Sequence, residues 1–444
     1  MRCATQPLFL PCAAGVEGLL AAEVQHLLPN TPVRSQRGGV ALAGTVGDVM
    51  ALNLGSRLAQ RVLIQVALAP YHDETDLYNL ALGVDWATWI TPRQTLRVDT
   101  TAQRCPLKSL NFAALRIKDA VCDQLREATG ERPNVDTSRP DLPLLLHLDA
   151  HDATLYVDSS GEPLFKRGWR EDVGDAPLKE TLAAAMLAAA GWRGTVQDGG
   201  ALHDPCCGSG TIAIEAAQLA CGIAPGLKRR FAFQQQLPFC TPEHRAGWQR
   251  RQSLAQAAIH PSAVPIFASD VSFRMVDFAR RNAQRAGVDA AIQFNGGDAL
   301  ERPAPDLPTG MPGTLMLNPP YGERIDALGK AARPNAPDVP GAPSLRAHPP
   351  LPDDNRSAPS DFFARLANHW KRAYTTHPAG WTAYVLSPDM RLPASMRLKE
   401  SRRVPMWNGP IECRLFRFDL VAGSARTLRA PATPENRTEP IYKR

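Results

Sequence analysis

The residues best suited to chemistry form a proline-rich turn, NPPYG at positions 318–322, directly after an apolar run. An amino group on a base is a poor nucleophile because its lone pair delocalises into the ring. The side-chain oxygen of Asn318 and the carbonyl of Pro319 could accept its two hydrogens and favour tetrahedral geometry. Pro320 stiffens the turn, and Tyr321 offers a ring for stacking an extruded base. The turn therefore predicts a site that holds an amino group and makes it nucleophilic.

A glycine turn, DPCCGSGT at residues 204–211, is the second candidate site, between a strand-like run and a helix-like run. Its glycines let the backbone approach a ligand at a strand end, where open α/β sheets bind their ligands. The spacing also fits G-x-G-x-x-A, a dinucleotide fingerprint, so a nicotinamide-dependent oxidoreductase is one alternative. However, Asp204 before the turn suits a ligand ammonium, whereas a dinucleotide fold keeps this turn free for a pyrophosphate.

Two further carboxylates follow strand-like runs. Asp270 comes after the apolar residues 266–268 and could accept hydrogen bonds from two ribose hydroxyls; Asp298 follows residues 292–294 and suits an adenine amino group. The dinucleotide pattern places its acid ~20 residues after the glycines, and Asp270 lies much further on, as an insertion over residues 222–262 would explain. Each Asp alone is more often a turn or helix cap, so their order along the chain carries the prediction.

Together these motifs resemble the class I S-adenosylmethionine-dependent amino-methyltransferases. The resemblance implies direct in-line methyl transfer, with catalysis mainly from positioning. It implies that Asp204 and residues 208–211 border the methionine part of the cofactor, Asp270 the ribose, and Asp298 with the Ala299 amide the adenine. The cofactor-binding residues so predicted are Asp204, Cys206, Gly208, Ser209, Gly210, Thr211, Asp270, Asp298 and Ala299, and the catalytic ones are Asn318, Pro319, Pro320 and Tyr321.

The elements around these motifs predict two kinds of architecture. Short strands and helices interleave through residues 8–157, as in an α+β region built from small sheets, whereas strands and helices alternate regularly from residue 202. The second pattern is typical of a parallel, doubly wound sheet. The fold class predicted is an α/β Rossmann-like methyltransferase domain preceded by an α+β region.

A narrower resemblance covers nearly the whole chain. Residues 54–62 (LGSRLAQRV), 130–133 (GERP), 164–170 (LFKRGWR) and 408–416 (NGPIECRLF) are similar to the RlmL-type THUMP-domain ribosomal RNA methyltransferases. That family implies transfer to the N2 amine of a guanine in 23S rRNA, or in its assembly intermediate, with a ferredoxin-like and THUMP region that binds RNA. The alternatives are another RNA such as tRNA, adenine N6, a DNA adenine or a protein glutamine as the methyl acceptor, and a non-catalytic RNA-binding assembly factor.

The predicted domain boundaries follow from these patterns. They are a ferredoxin-like segment at 1–60, a THUMP domain at 61–165, a linker and helix at 166–190, a methyltransferase domain at 191–423 with a Pro-rich loop at 324–360, and a flexible tail at 424–444.

The linker is also predicted to contact RNA. Lys166, Arg167, Trp169 and Arg170 put three cations and a ring within five residues, a combination suited to phosphates and an unpaired base. Three arginines nearer the end of the chain could extend that surface: Arg402, Arg403 and Arg414.

Bulk composition bounds the remaining possibilities. The chain has 444 residues, 44% of them hydrophobic and 21% charged, and a net charge of +6, as expected of a globular protein with more than one domain. Nine cysteines without a C-x-x-C pair predict neither disulfides nor zinc nor another metal. No apolar run reaches the ~20 residues that span a bilayer, so a cytoplasmic protein is expected. The sequence leaves the oligomeric state open.

Overall fold

A computed structural model describes residues 5–174, 178–319 and 359–421. The strands are β1 (Gln6–Pro11), β2 (Val33–Gln36), β3 (Gly39–Gly44), β4 (Leu63–Pro70), β5 (Thr95–Ala102), β6 (Asn134–Val135), β7 (Leu142–Leu148), β8 (Asp152–Asp158), β9 (Ala201–Asp204), β10 (Ile266–Asp270), β11 (Ile292–Gly296), β12 (Gly313–Leu317), β13 (Trp381–Ser387), β14 (Arg402–Asn408) and β15 (Ile411–Leu420). The α-helices are α1 (Glu17–Leu27), α2 (Val46–Gly55), α3 (Glu74–Leu82), α4 (Leu110–Thr129), α5 (Glu180–Ala190), α6 (Thr211–Ala220), α7 (Pro242–Ala257), α8 (Phe273–Ala286), α9 (Pro359–Ala373) and α10 (Leu392–Met396). The predicted tail lies outside the described residues, as does the predicted loop apart from the two residues that begin α9.

The first eight strands, β1 to β8, form one continuous sheet in the order β2-β3-β1-β4-β8-β7-β5-β6. Strand β4 joins its two parts, because it pairs antiparallel with β1 on one side and with β8 on the other. Ile64 shows the arrangement: it lies opposite Leu8 in β1 and opposite Val157 in β8. The two parts of the N-terminal region therefore share a strand, and the boundary proposed near residue 60 stays a prediction.

The second sheet has the order β11-β10-β9-β12-β13-β15-β14. Its first five strands run parallel, β15 is antiparallel to β13, and β14 closes the edge. Every residue of β9 and β12 is buried, as expected for strands covered by helices on both faces. This is the mixed sheet of a class I methyltransferase fold, and it confirms the predicted fold class.

Local signals explain where the helices of this sheet begin and end. In α8 the Ser272 hydroxyl accepts a hydrogen bond from the Met275 N–H, and Gly287 ends the helix in the left-handed region at φ 78°. The helix predicted after the first glycine turn is confirmed as α6, with Gly210 before it at φ 89°. These helices place the turns between strand and helix at one edge of the sheet.

The insertion predicted at residues 222–262 fastens the two halves together. It contains α7 and two short 3-10 turns, and its first part lies against the N-terminal half. Three backbone N–H to carbonyl hydrogen bonds of 2.9 Å make this contact: Gly226 to Leu54, Phe233 to Ser159 and Leu237 to Trp89. The halves are therefore held in a defined relative position by main-chain hydrogen bonds.

Candidate active site

The four sequence motifs meet at the carboxyl edge of the second sheet. Asp204 ends β9 and Asp270 ends β10, while Asp298 follows β11 and Asn318 follows β12 directly. These strands are neighbours, in the order β11-β10-β9-β12. Because they are parallel, their carboxyl ends lie side by side, and this edge is where open α/β sheets bind ligands. The structure thus brings the predicted cofactor and amine residues together, and the role of each residue stays a prediction.

The glycine turn is bound to the neighbouring strand rather than standing free. The Gly208 N–H donates to the Asp270 carboxylate at 2.9 Å, and the Cys207 N–H donates to the Ser269 carbonyl at 2.9 Å. A Cβ on Gly210 would lie 2.9 Å from that of Ala279 in α8, so only glycine permits this approach. A Cβ on Gly208, by contrast, would meet no atom within 4 Å. The turn therefore leaves space above Gly208 that a ligand can fill.

Asp204 is a buried carboxyl with few compensating contacts. It is 1% exposed, and its Oδ1 accepts a hydrogen bond of 3.2 Å from the Cys206 N–H. Burial raises the pKa of Asp204 well above its usual range, and the nearby charge of Asp270 raises it further. A buried carboxylate without a cationic partner is unfavourable, and carboxyls with a shifted pKa are frequent at functional sites. That Asp204 binds a ligand ammonium stays a prediction.

Asp270 and Asp298 present their carboxyls to the same edge. Asp270 accepts a second hydrogen bond from the Ser272 N–H at 2.9 Å, and burial raises its pKa. Asp298 stabilises its own loop by accepting a hydrogen bond of 2.9 Å from the Leu300 N–H, and the intervening Ala299 is buried. Both carboxyls are therefore held in place by the backbone near their own positions in the chain.

One exposed ring beside these carboxyls, that of Phe273, is not among the site residues predicted from the sequence. Phe273 is 79% exposed, and its ring lies over the end of β11, since a Cβ on Gly296 would come within 2.4 Å of it. Val271, between Asp270 and the helix, is also exposed. The signal in the sequence was that Val271 and Phe273, both apolar, closely follow Asp270, the candidate ribose-binding residue. Together they form an apolar wall next to the two carboxyls.

The turn predicted to bind an amine lies only in part within the described residues. Asn318 is half-buried and Pro319 is buried, at the level of the Asp204 and Asp270 strand ends. Pro320 and Tyr321 lie outside the described residues. The placement of Asn318 agrees with the predicted amide clamp, whose function stays a prediction.

The linker residues do not form the predicted RNA surface. Arg167 is 2% exposed and forms an ion pair with Glu215 of α6, with Nε 3.1 Å from the carboxylate, and Trp169 is 1% exposed. The prediction that these two side chains contact RNA is wrong, because the linker packs between the halves of the protein. Lys166 stays exposed, paired with Glu162 at 3.0 Å, so its RNA contact stays a prediction.

Arg170 braces the glycine turn instead of facing solvent. Its Nε donates to the buried Glu180 carboxylate at 2.8 Å, and its Nη atoms donate to the hydroxyls of Thr211 at 2.8 Å and Ser209 at 3.3 Å. Its side chain is almost fully covered. The residue therefore holds the start of α6 in place from the linker, and its predicted RNA contact is wrong.

Among residues 5–174, 178–319 and 359–421, no group of three or more His, Cys, Asp or Glu side chains is arranged to hold a metal ion. Within the same ranges, no helix combines the length and apolar character needed to cross a membrane.

Comparison with known proteins agrees with the architecture. Three family models match the chain in succession: the RlmL ferredoxin-like domain at residues 7–63, the THUMP domain at 71–158, and the RMKL-like methyltransferase domain at 167–333. Similar solved structures include SMU.472 complexed with SAH, at a TM-score of 0.76 and 24% identity over 95% of this chain and 99% of that one. TrmN from Thermus thermophilus matches at a TM-score of 0.61 and 19% identity, covering 94% and 99%. At these identities, the likeness shows the fold.

Curated relatives bear the name ribosomal RNA large subunit methyltransferase K/L. The protein from Psychromonas ingrahamii is 33% identical over 439 residues, which cover 98% of this chain and 51% of the relative. The protein from Syntrophotalea carbinolica is 35% identical over 436 residues, covering 96% and 55%. The chain thus spans about half the length of these relatives. With its three domains matched in this order, the chain is similar to THUMP-domain methyltransferases that combine an RlmL ferredoxin-like domain with an RMKL-like methyltransferase domain.

Proposed function

We propose that this protein is an S-adenosylmethionine-dependent RNA methyltransferase that methylates the exocyclic N2 of a guanine in 23S ribosomal RNA. The observation that carries the proposal is the meeting of the glycine turn, three carboxyls and Asn318 at one sheet edge, in a chain with a THUMP domain. The relatives' names support ribosomal RNA as the substrate, and the choice of guanine N2 rests on the resemblance to the RlmL type. Such a substrate also assigns the reaction to the cytoplasm.

The chain's own residues fit S-adenosylmethionine well. The buried Asp204 is suited to the ammonium of its methionine part, and the space above Gly208 can take the rest of that part. Asp270 would accept the ribose hydroxyls, and Asp298 the adenine amino group, with Phe273 as an apolar wall for the ring. When bound, this cofactor supplies an electrophilic methyl group on its sulfonium.

The amide clamp provides the other half of the chemistry. Asn318 and Pro319 would accept the two hydrogens of a base amino group and so hold its nitrogen in line for attack. The amine becomes strongly acidic once alkylated, so its proton can leave to water without a paired acid and base. Catalysis in this proposal comes from position and from desolvation of the amine.

A surface on the N-terminal half suits the RNA. Around the start of α4, Arg104 and Lys108 are exposed next to the large apolar side chains of Phe112 and Leu115, which are each about half exposed. Cations beside an accessible ring fit phosphates and unpaired bases. This surface, rather than the linker, is the RNA-binding candidate of the THUMP region.

The experiment that tests the proposal is tritiated methyl transfer from S-adenosylmethionine to ribosomal RNA lacking modifications, followed by nucleoside mass spectrometry. We expect N2-methylguanosine in 23S RNA. Parallel reactions contain tRNA, duplex DNA and a protein extract. Methyladenosine, or label confined to tRNA, would contradict the proposed acceptor and retain the enzyme class, whereas label in DNA or protein alone would overturn RNA as the substrate.

Arg170 is predicted to support cofactor binding through the glycine turn. In Arg170→Lys the charge remains, but the planar fork that reaches Glu180, Ser209 and Thr211 together is lost. We expect about tenfold weaker binding of S-adenosylhomocysteine in calorimetry, as for the loss of roughly one charge-assisted hydrogen bond. Arg281→Lys, at the half-exposed pair with Asp172, is the matched control and should bind normally. Equal affinities in the two variants would exclude the bracing role.

A further inference from the structure

The hairpin of β14 and β15 extends beyond the catalytic edge of the second sheet. Strand β13 pairs with β15 as far as Ser387 opposite Arg414, and Leu317 of β12 lies opposite Val385. The hairpin continues for three more residue pairs, from Met406 opposite Cys413 to Asn408 opposite Ile411. At about 3.4 Å per residue this overhang reaches roughly 10 Å past the end of β13. Its tip therefore stands beside the edge that carries Asn318.

The overhang and the loop after β13 expose large side chains that are not packed in the protein's core. Ile411 is 44% exposed at its tip, and Met390, in the loop after β13 at the same edge, is 42% exposed. Arg391 beside it has a side chain that is almost fully exposed. The guanidinium of Arg414 lies 5.8 Å from the centre of the Trp407 ring. Apolar surface, a ring and cations thus occur together at the rim of the candidate site.

The base of the overhang is fixed to the N-terminal half. Gly15, in the turn between β1 and α1, approaches β14 so closely that a Cβ there would lie 2.4 Å from the Pro405 carbonyl oxygen and 3.2 Å from the Trp407 ring. Its φ of 81° also requires glycine. Met406 and Cys413 are buried in the same core cluster as Leu8 and Leu10 of β1. The hairpin tip accordingly stands at the junction between the RNA-binding half and the catalytic edge.

We propose that the overhang, residues 406–413, together with the loop at residues 388–391, binds the unpaired RNA strand that flanks the target nucleotide. This inference rests on the proposed function and names a contact surface for its substrate. Extruding a base leaves its neighbours partly unstacked, and the exposed Ile411 and Met390 offer apolar surface to them. The almost fully exposed Arg391 lies where a flanking phosphate would pass, whereas Arg414 is mostly buried and paired with Glu412 at 2.6 Å. Arg402 and Arg403 are exposed along the edge strand β14, and Arg403 is paired there with Glu400.

The test compares two double variants of the full chain. Arg391→Glu with Ile411→Glu changes the proposed surface, and Arg250→Glu with Leu254→Glu makes the same changes on the exposed face of α7. Binding of a 23S RNA fragment is measured by filter retention, and binding of S-adenosylhomocysteine by calorimetry. We expect the hairpin variant to lose about tenfold in RNA affinity, with cofactor affinity and melting temperature unchanged, and the α7 variant to bind RNA normally.

Two results would overturn this inference: RNA affinity of the hairpin variant within twofold of wild type, or an equal loss in both double variants. Photocrosslinking gives a second measurement, with p-benzoylphenylalanine at position 411 expected to crosslink to RNA and at position 254 not to do so. Since RNA binding is measured without turnover, a wild-type protein that binds RNA and transfers no methyl group would contradict the proposed function and leave the hairpin contact standing.

Discussion

Asn318→Ala is expected to lower kcat for methyl transfer by roughly 100- to 1,000-fold, the usual effect of removing one preorganised hydrogen-bonding group at a reacting centre. The side-chain oxygen of Asn318 follows β12 directly at the catalytic edge, and no other side chain is assigned to that hydrogen of the amine. Single-turnover kinetics with saturating RNA and cofactor measure the effect. Binding of both ligands should change little, because the proposed contact orients the amine.

A control separates this effect from a general loss of activity. Asn295→Ala removes the same group from an exposed position on β11, and its kcat should equal that of the wild type. If Asn318→Ala retained full kcat with cofactor and RNA bound, the amide clamp would be the wrong mechanism. A weaker RNA affinity with unchanged kcat would assign Asn318 to substrate binding alone.

Asp204→Asn is expected to have opposite effects on stability and on cofactor binding. The raised pKa of the Asp204 carboxyl means that the folded protein binds its proton more tightly than the unfolded chain does. The carboxyl therefore makes folding of the free protein less favourable at pH values above its unfolded pKa, and stability rises as the pH falls through the raised pKa. The amide removes that charge and can keep the hydrogen bond from the Cys206 N–H. The free energy of unfolding of the variant should be about 1 kcal/mol higher than that of the wild type, and its melting temperature roughly 2–4 °C higher.

Cofactor binding should move the other way. Without the carboxylate, the ammonium of S-adenosylhomocysteine has no buried partner. The free energy of binding should weaken by about 2 kcal/mol, which raises Kd roughly 30-fold. Thermal melts with and without this ligand measure both effects, and the exposed Asp306→Asn serves as control. A variant that is both less stable and unchanged in affinity would show that Asp204 is a structural residue of the turn.

The catalytic half was largely predictable because its signals are local. An alternation of strands and helices specifies a parallel sheet, and in such a sheet residues that follow the strands must meet at one edge. Asp204, Asp270, Asp298 and Asn318 could therefore be placed near each other without coordinates. By contrast, the sharing of β4 between β1 and β8 depends on pairings far apart in the chain, which no local pattern indicates.

The linker was misinterpreted for a related reason. A cluster of cations around a tryptophan has the same composition whether it faces solvent or lies between two domains. The two cases differ in the partners of the cations, and these partners are remote in the chain: Glu215 lies 48 residues from Arg167, and Thr211 lies 41 residues from Arg170. Phe273 was not predicted as a site residue because an apolar residue at the first position of a helix needs no functional explanation. Burial of charge and exposure of a ring are properties of the folded chain.

The insertion between the glycine turn and Asp270 has a consequence for target choice. Its main-chain hydrogen bonds to Leu54, Trp89 and Ser159 fix the distance from the α4 surface to the sheet edge that carries Asn318. If the α4 surface binds RNA as proposed, this fixed distance selects the target nucleotide. A nucleotide can then be methylated only when its distance from the bound RNA feature equals the distance between the two protein sites. That distance is measured through the folded RNA rather than along its sequence. Nucleotides of identical local sequence at any other distance are then passed over, without a single base contact to reject them.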